Sequence, residues 1–192
     1  MSSLVFYYGT MSSGKTTLGL QIRYTAVTEG YEVLLLTCSS RTPGRVVSRI
    51  GVDAPAIEIT ESTDLWKLLA ERADPHSVIV DEAQFLTPCQ VNDLAFYVDE
   101  TNVPVYAFGL MTTFSQELFP GSRQLINVGA ELIHVPCEAL CWCGQQATHN
   151  ARVISGEVVK KGPPKLVGDI GGEVGYQVLC RVHYRSGQLR PN

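Results

Sequence analysis

The chain has 192 residues, 45% of them apolar and 18% charged, which suits one compact domain with a small appendage and excludes both a large multidomain machine and a disordered chain. With 15 Lys+Arg against 19 Asp+Glu, the net charge is −4. That balance supplies no general attraction to nucleic acid or anionic lipid, so any anionic ligand must be bound locally.

Met1 leads through Ser2 and Ser3 straight into an apolar run with no basic segment before it, and no apolar run is long enough to span a bilayer. The expectation is a cytoplasmic protein with reduced thiols and no membrane or nucleic-acid partner. Strand-like runs recur at Leu4–Tyr8, Val33–Thr37, Val78–Val80 and Val103–Phe108. Stretches with helical spacing lie between them, at Leu18–Thr28, Asp64–Arg72 and Gln90–Val98. The alternation predicts an α/β fold with a mostly parallel sheet covered on both faces. Past Glu131 helical periodicity stops. A cysteine-rich segment leads into Ser155–Tyr176, whose many glycines and prolines exclude a regular helix and whose length exceeds a routine connection. The expected organisation is a nucleotide-binding domain over residues 1–134 and a metal-binding subdomain over 135–192.

Between the first strand and the first helix, Gly9-Thr10-Met11-Ser12-Ser13-Gly14-Lys15-Thr16 matches GxxxxGK[ST] in full. Consecutive backbone N–H groups in such a P-loop cradle phosphates, Lys15 reaches the β- and γ-phosphates, and the Thr16 hydroxyl holds Mg²⁺. The third strand runs into Asp81-Glu82-Ala83-Gln84-Phe85, placing two adjacent carboxylates at the edge of the sheet where the loop also lies. Asp81 suits Mg²⁺ positioning and Glu82 suits a base for an attacking hydroxyl or water; Ala83 and Gln84 join them in the expected ATP-binding set.

Cys141-Trp142-Cys143 and Cys180-Arg181-Val182-His183 form two short-spaced ligand pairs. Three thiolates and one imidazole make a closed tetrahedral site suited to structural Zn²⁺, leaving no position open for catalysis. Cys137 is an alternative ligand, whereas Cys38 and Cys89 read as ordinary buried thiols. His134 and His149 read as surface or structural residues, and His76 as a turn residue.

In this order and spacing, GTMSSGKT, DEAQF, GLMTTF with LFPGS, CWCG followed by THNAR, and VGYQVLC with CRVH resemble the type II thymidine kinases over nearly the whole chain. The resemblance implies a RecA-like nucleotide-binding domain and a small zinc subdomain with a lasso-like loop. It implies transfer of the γ-phosphoryl of ATP to the 5′-hydroxyl of thymidine or deoxyuridine, a homotetramer, and feedback binding of dTTP. Carried over residue by residue, Glu82 resembles the catalytic base, Met11 lies near the thymine methyl, Phe85 and Phe114 pack the base, Tyr176 resembles the lasso tyrosine, and Arg152, which closes the THNAR segment, joins them in the expected substrate site. The chain departs from the family at Ser39-Ser40-Arg41, which has no carboxylate two positions before the arginine, at Asn150, and at the short Cys141-x-Cys143 spacing. The rival readings are a RecA-like nucleic-acid-dependent ATPase with a zinc ribbon, disfavoured by the acidic charge, and a non-catalytic nucleotide-binding regulator.

Overall fold

The computed structural model describes residues 3–39, 42–72, 75–137, 139–162 and 174–191. Strand β1 (Leu4–Tyr8) feeds helix α1 (Lys15–Thr28), then β2 (Val33–Thr37), a hairpin of β3 (Arg45–Val47) and β4 (Asp53–Pro55), short β5 (Ile57–Glu58) and α2 (Leu65–Ala70). Next come β6 (Ser77–Asp81), a 3₁₀ turn (Ala83–Phe85), α3 (Pro88–Thr101), β7 (Val105–Gly109), α4 (Pro120–Asn127) and β8 (Glu131–His134). The chain continues through β9 (His149–Ile154), β10 (Glu157–Val159), β11 (Val174–Leu179) and α5 (Arg181–Ser186).

Six strands form one sheet in the order β5-β2-β6-β7-β1-β8, and every pairing in it is parallel. Near-continuous apolar strands are what a sheet buried on both faces requires. Strand alternation divides them: Phe6, Leu34, Leu36, Val78, Val80, Val105 and Ala107 face a core built with α2, α3 and α4. Leu35, Ile79 and Phe108 face Leu20 of α1, together with Val46 and Ala54 of the β3–β4 hairpin. A separate antiparallel sheet, β10-β9-β11, shares a small core of Cys141, Ala151, Leu179 and Tyr184.

The expected first and second strands have the expected bounds. Helix α1 starts three residues before the apolar periodicity, because its first turn, Lys15-Thr16-Thr17, is polar and begins directly after Gly14 in the left-handed conformation (φ 76°). Helix α3 likewise starts ahead of its apolar face, at Pro88, where Thr87 and Gln90 form a reciprocal capping box. The fourth expected strand, β7, begins at Val105 and not at Val103, since Pro104 has no N–H to donate to a ladder. The Gly-rich segment Ser155–Tyr176, expected to close on the substrate, holds β10 and the start of β11; its residues 163–173 lie outside the described residues.

Two glycines hold close backbone approaches near the carboxyl ends of the strands. A Cβ on Gly109 would lie 2.6 Å from Gln84 Oε1, and one on Gly121, in the first turn of α4, would lie 2.4 Å from the Ala83 carbonyl oxygen. Backbone cannot yield as a flexible side chain can, so Gly121→Ala should destabilise the protein by about 1–3 kcal/mol, the usual cost of overpacking. A lowered urea midpoint at unchanged slope checks this.

Candidate functional site

The polypeptide from Gly9 to Gly14 turns sharply between β1 and α1, with Ser12 (φ 63°) and Gly14 (φ 76°) both left-handed. Gly9 has no room for a side chain, because a Cβ there would meet Ser13 Oγ at 2.5 Å. Lys15, at the start of α1, donates from Nζ to the Thr10 carbonyl at 2.7 Å, which holds its ammonium against the loop. Thr16 Oγ1 donates to Asp81 at the end of β6, with both carboxylate oxygens at 3.2 Å. The loop after β1 and the acid after β6 thereby meet across the end of β7, which lies between those strands.

Glu82 occupies the left-handed region (φ 56°), an uncommon conformation for a residue with a Cβ and one that marks a constrained position. Gln84 explains the constraint. It is fully buried, its amide nitrogen donates to Glu82 Oε2, and its Oε1 accepts the Leu110 N–H at 3.0 Å. Ala83 is also fully buried. Of Ala83 and Gln84, both expected with the nucleotide-binding residues, Gln84 lines the cleft and both are buried beneath the carboxylate turn, which they support.

The electrostatics are tense. Burial first, and the adjacent Glu82 second, push the Asp81 carboxyl up to about 7, against the Thr16 hydrogen bond and the Lys15 charge. Burial also brings Lys15 down to about 8, despite the pull of Glu82 and Asp81, with Arg49 adding to the lowering. Two carboxylates beside a single close ammonium suit a divalent cation, and Thr16 and Asp81 are the oxygen donors placed to hold one.

These groups floor a cleft of about 420 Å³ that Met11, Phe85, Phe114, Asn150 and Tyr176 also line. Phe85 meets Phe119 edge to face at 5.6 Å. Arg152 does not line the cleft: it is 1% exposed, its guanidinium lies 3.7 Å above the Phe114 ring, and Nε donates to Tyr176 Oη at 3.0 Å. Residues from β9, β11 and the loop after β7 are thus locked into one wall. Asn150, noted in the sequence only as a departure, has a structural task, accepting the Met11 N–H at 2.7 Å and so joining β9 to the loop after β1. An Asn inside a strand, where it is disfavoured, was the available signal.

Cys141, Cys143, Cys180 and His183 bring their ligand atoms within 4.8 Å of one another. Cys141 Sγ lies 3.4 Å and Cys180 Sγ 3.5 Å from His183 Nδ1, and Cys143 Sγ lies 4.0 Å from Cys180 Sγ. A tetrahedral zinc with bonds of about 2.3 Å to sulfur and about 2.0–2.1 Å to nitrogen sets its ligands at about these spacings. A disulfide, at about 2.05 Å, does not fit the Cys143–Cys180 separation. Although burial opposes it, N–H groups of Cys143 and Cys180 and the His183 ring bring the Cys141 thiol down to about 6, favouring the thiolate a metal needs. Cys137 stands outside this group, exposed and beside Gly14, where a Cβ would lie 3.7 Å from its Sγ. Cys89 is exposed and Cys38 half-buried; neither is the buried thiol expected, because Cys89 sits in the first turn of α3 on its outer face. His149 stacks on Tyr184 at 4.5 Å and His76 on Tyr31 at 4.4 Å, structural contacts in both cases. Of Ser39-Ser40-Arg41, Ser39 lines the cleft and residues 40–41 lie outside the described residues.

The family model described as thymidine kinase matches residues 2–184. The thymidine kinase of Cutibacterium acnes is 41% identical over 194 residues, spanning 97% of this chain and 90% of that protein. The thymidine kinase of Streptomyces coelicolor is 42% identical over 96% of this chain and 89% of its own length. That of Lactococcus lactis subsp. lactis is 40% identical over 98% of this chain and its whole length.

Two measurements test the site's physical chemistry. In the protein without nucleotide or Mg²⁺, burial on folding raises the Asp81 carboxyl from its ordinary 3.8 to about 7. The folded state then holds the extra proton between those values, so stability should fall as pH rises through that window. Asp81→Asn should flatten the fall, read as urea midpoints from pH 4 to 8. For the cysteine cluster, the purified protein should carry one equivalent of zinc, and Cys143→Ser should lose most of it by elemental analysis.

Proposed function

Because the chain belongs to the thymidine kinase family, we propose that it moves the γ-phosphoryl group of ATP to the 5′-hydroxyl of thymidine or deoxyuridine within the cleft above Asp81 and Glu82. The observation that carries the reading is the joining of two walls. One is the P-loop Gly9–Thr16 with Asp81, bonded through Thr16 at 3.2 Å; the other is the aromatic wall of Phe85, Phe114 and Tyr176. Triphosphate and nucleoside so placed meet at Glu82.

In this reading the backbone N–H groups of Thr10 to Thr16 take the phosphates, and Lys15 leaves the Thr10 carbonyl for the β- and γ-oxygens. Thr16 and Asp81 would hold Mg²⁺, which offsets charge on the phosphates. Glu82 accepts the proton of the attacking 5′-hydroxyl and orients its oxygen in line, a role that depends on its fixed left-handed backbone and on the Gln84 amide. The flat pyrimidine fits between Phe85 and Phe114, with Met11 beside it. Tyr176 closes on the nucleoside and Arg152 positions Phe114 and Tyr176 from behind. Cys141, Cys143, Cys180 and His183 would hold a structural zinc ion, which would tie down the subdomain that carries Tyr176. Feedback binding of dTTP, a homotetramer and a cytoplasmic setting belong to the same reading and rest on the family resemblance. No helix among the described residues is long and apolar enough to cross a membrane.

Incubated with ATP, Mg²⁺ and each of four deoxynucleosides, the protein should give thymidine monophosphate; no transfer to any pyrimidine nucleoside would overturn the reading. Glu82→Gln should lower turnover by about 10²-fold or more, the range of a positioned base, while ATP binding by calorimetry persists.

A further inference from the structure

The β3–β4 hairpin has no part in the chemistry above, yet its tip lies against the phosphate loop. Its body is fixed, since Val46 and Ala54 are buried in the core shared with Leu20 and Phe108. The tip is fixed too. Ser48 N–H donates to the Val52 carbonyl at 2.8 Å and Gly51 N–H to the Ser48 carbonyl at 3.1 Å, while Ser48 Oγ accepts the Val52 N–H at 3.1 Å. Arg49 stands inside this closed turn, with its Cα held and its side chain exposed. That side chain lines the same cleft as Lys15 and Thr16, and Nη1 donates to Ser12 Oγ at 2.6 Å.

A neutral hydroxyl is a poor match for a guanidinium, whose planar fork suits phosphate oxygens. No Arg49 ion pair is present among the described residues, in contrast to Arg45 in the same hairpin, which pairs with Asp53. Arg49 also faces Lys15, near enough that its charge lowers the lysine's proton affinity. Two cations converging on one phosphate loop repel each other until an anion lies between them. We infer that Arg49 is a catalytic residue: its guanidinium leaves Ser12 for the phosphoryl group being transferred and supplies positive charge from the face opposite Lys15. The electron pairs move as in any phosphoryl transfer, with the bond from Pγ to the bridging oxygen of ATP breaking, the bond to the attacking oxygen forming and the proton passing to Glu82. Arg49 itself is unchanged.

The inference rests on the kinase reading, so the test separates the two. Arg49→Ala and Arg49→Lys are compared with the parent protein in turnover with ATP and thymidine, in affinity for MgADP, in melting temperature, and in trapping MgADP with aluminium fluoride, a mimic of the phosphoryl group in transit. Arg49→Ala should lose about 10³-fold or more in turnover and fail to form the fluoride complex, with MgADP affinity and melting temperature retained; Arg49→Lys should fall between. Turnover within about twofold of the parent would overturn the assignment. So would parallel losses of melting temperature and MgADP affinity, which would make Arg49 a latch for the hairpin. Trapping is also read without thymidine, with water as acceptor, so Arg49 is scored even where the parent transfers nothing to thymidine, the outcome that would overturn the kinase reading.

Discussion

The hydrogen bond from Thr16 to Asp81 joins the two ends of the sheet's chemistry, and much of the surrounding structure exists to make it. Strands β1 and β6 are not neighbours; β7 lies between them. A link over the end of β7 needs space there, and Gly109 provides it for Gln84, whose side chain would collide with any Cβ at that position. Gln84 in turn braces Glu82 from beneath. Gly121 lets the first turn of α4 close on the carbonyls of Ala83 and Gln84. The buried acid is costly to keep charged, as its raised proton affinity records, and natural proteins retain such a cost where a site works with charge.

Strand β9 carries the second dependence. Its alternation sends Asn150 to the Met11 N–H and Arg152 to Phe114 and Tyr176, while Ala151, between them, faces the small core with Cys141, Leu179 and Tyr184. Four buried residues make too little core to hold a three-stranded sheet by themselves. The Cys141, Cys143, Cys180 and His183 cluster sits at one end of that core, where zinc would contribute folding energy directly. The Tyr184 hydroxyl then reaches the Phe114 carbonyl. Metal binding at this cluster would therefore be linked to the shape of the cleft through packing, though none of its four residues lines the cleft.

The large sheet was legible because buried parallel strands are continuous apolar runs, and Leu4–Tyr8 and Val33–Thr37 need no partner to be seen. The turn after β1, the paired carboxylates and the clustering of Cys141, Cys143, Cys180 and His183 were legible because the chemistry they suit fixes spacing along the chain. Less was visible where the cause lies between distant segments. Nothing near Asn150 in sequence shows that it faces Met11, 139 residues away. Arg152 reads as a charged residue with a place in the cleft, and only the fold shows it 1% exposed behind an aromatic ring. The β3–β4 hairpin was missed because its strands are three residues each, too short for periodicity to show, and nothing in the sequence singled out Arg49.

That cation alters the meaning of the chain's charge. A net −4 offers an anionic ligand no long-range attraction, so a triphosphate must be held by local positive charge and oriented amides. Lys15 alone faces Asp81 and Glu82, an unfavourable balance for a site meant to take further negative charge. In the role inferred for it, Arg49 restores that balance, carried on a hairpin that packs with Leu20 of α1. Two cations brought in on separate elements are each placed by their own packing, and the repulsion between them becomes affinity when a phosphate arrives.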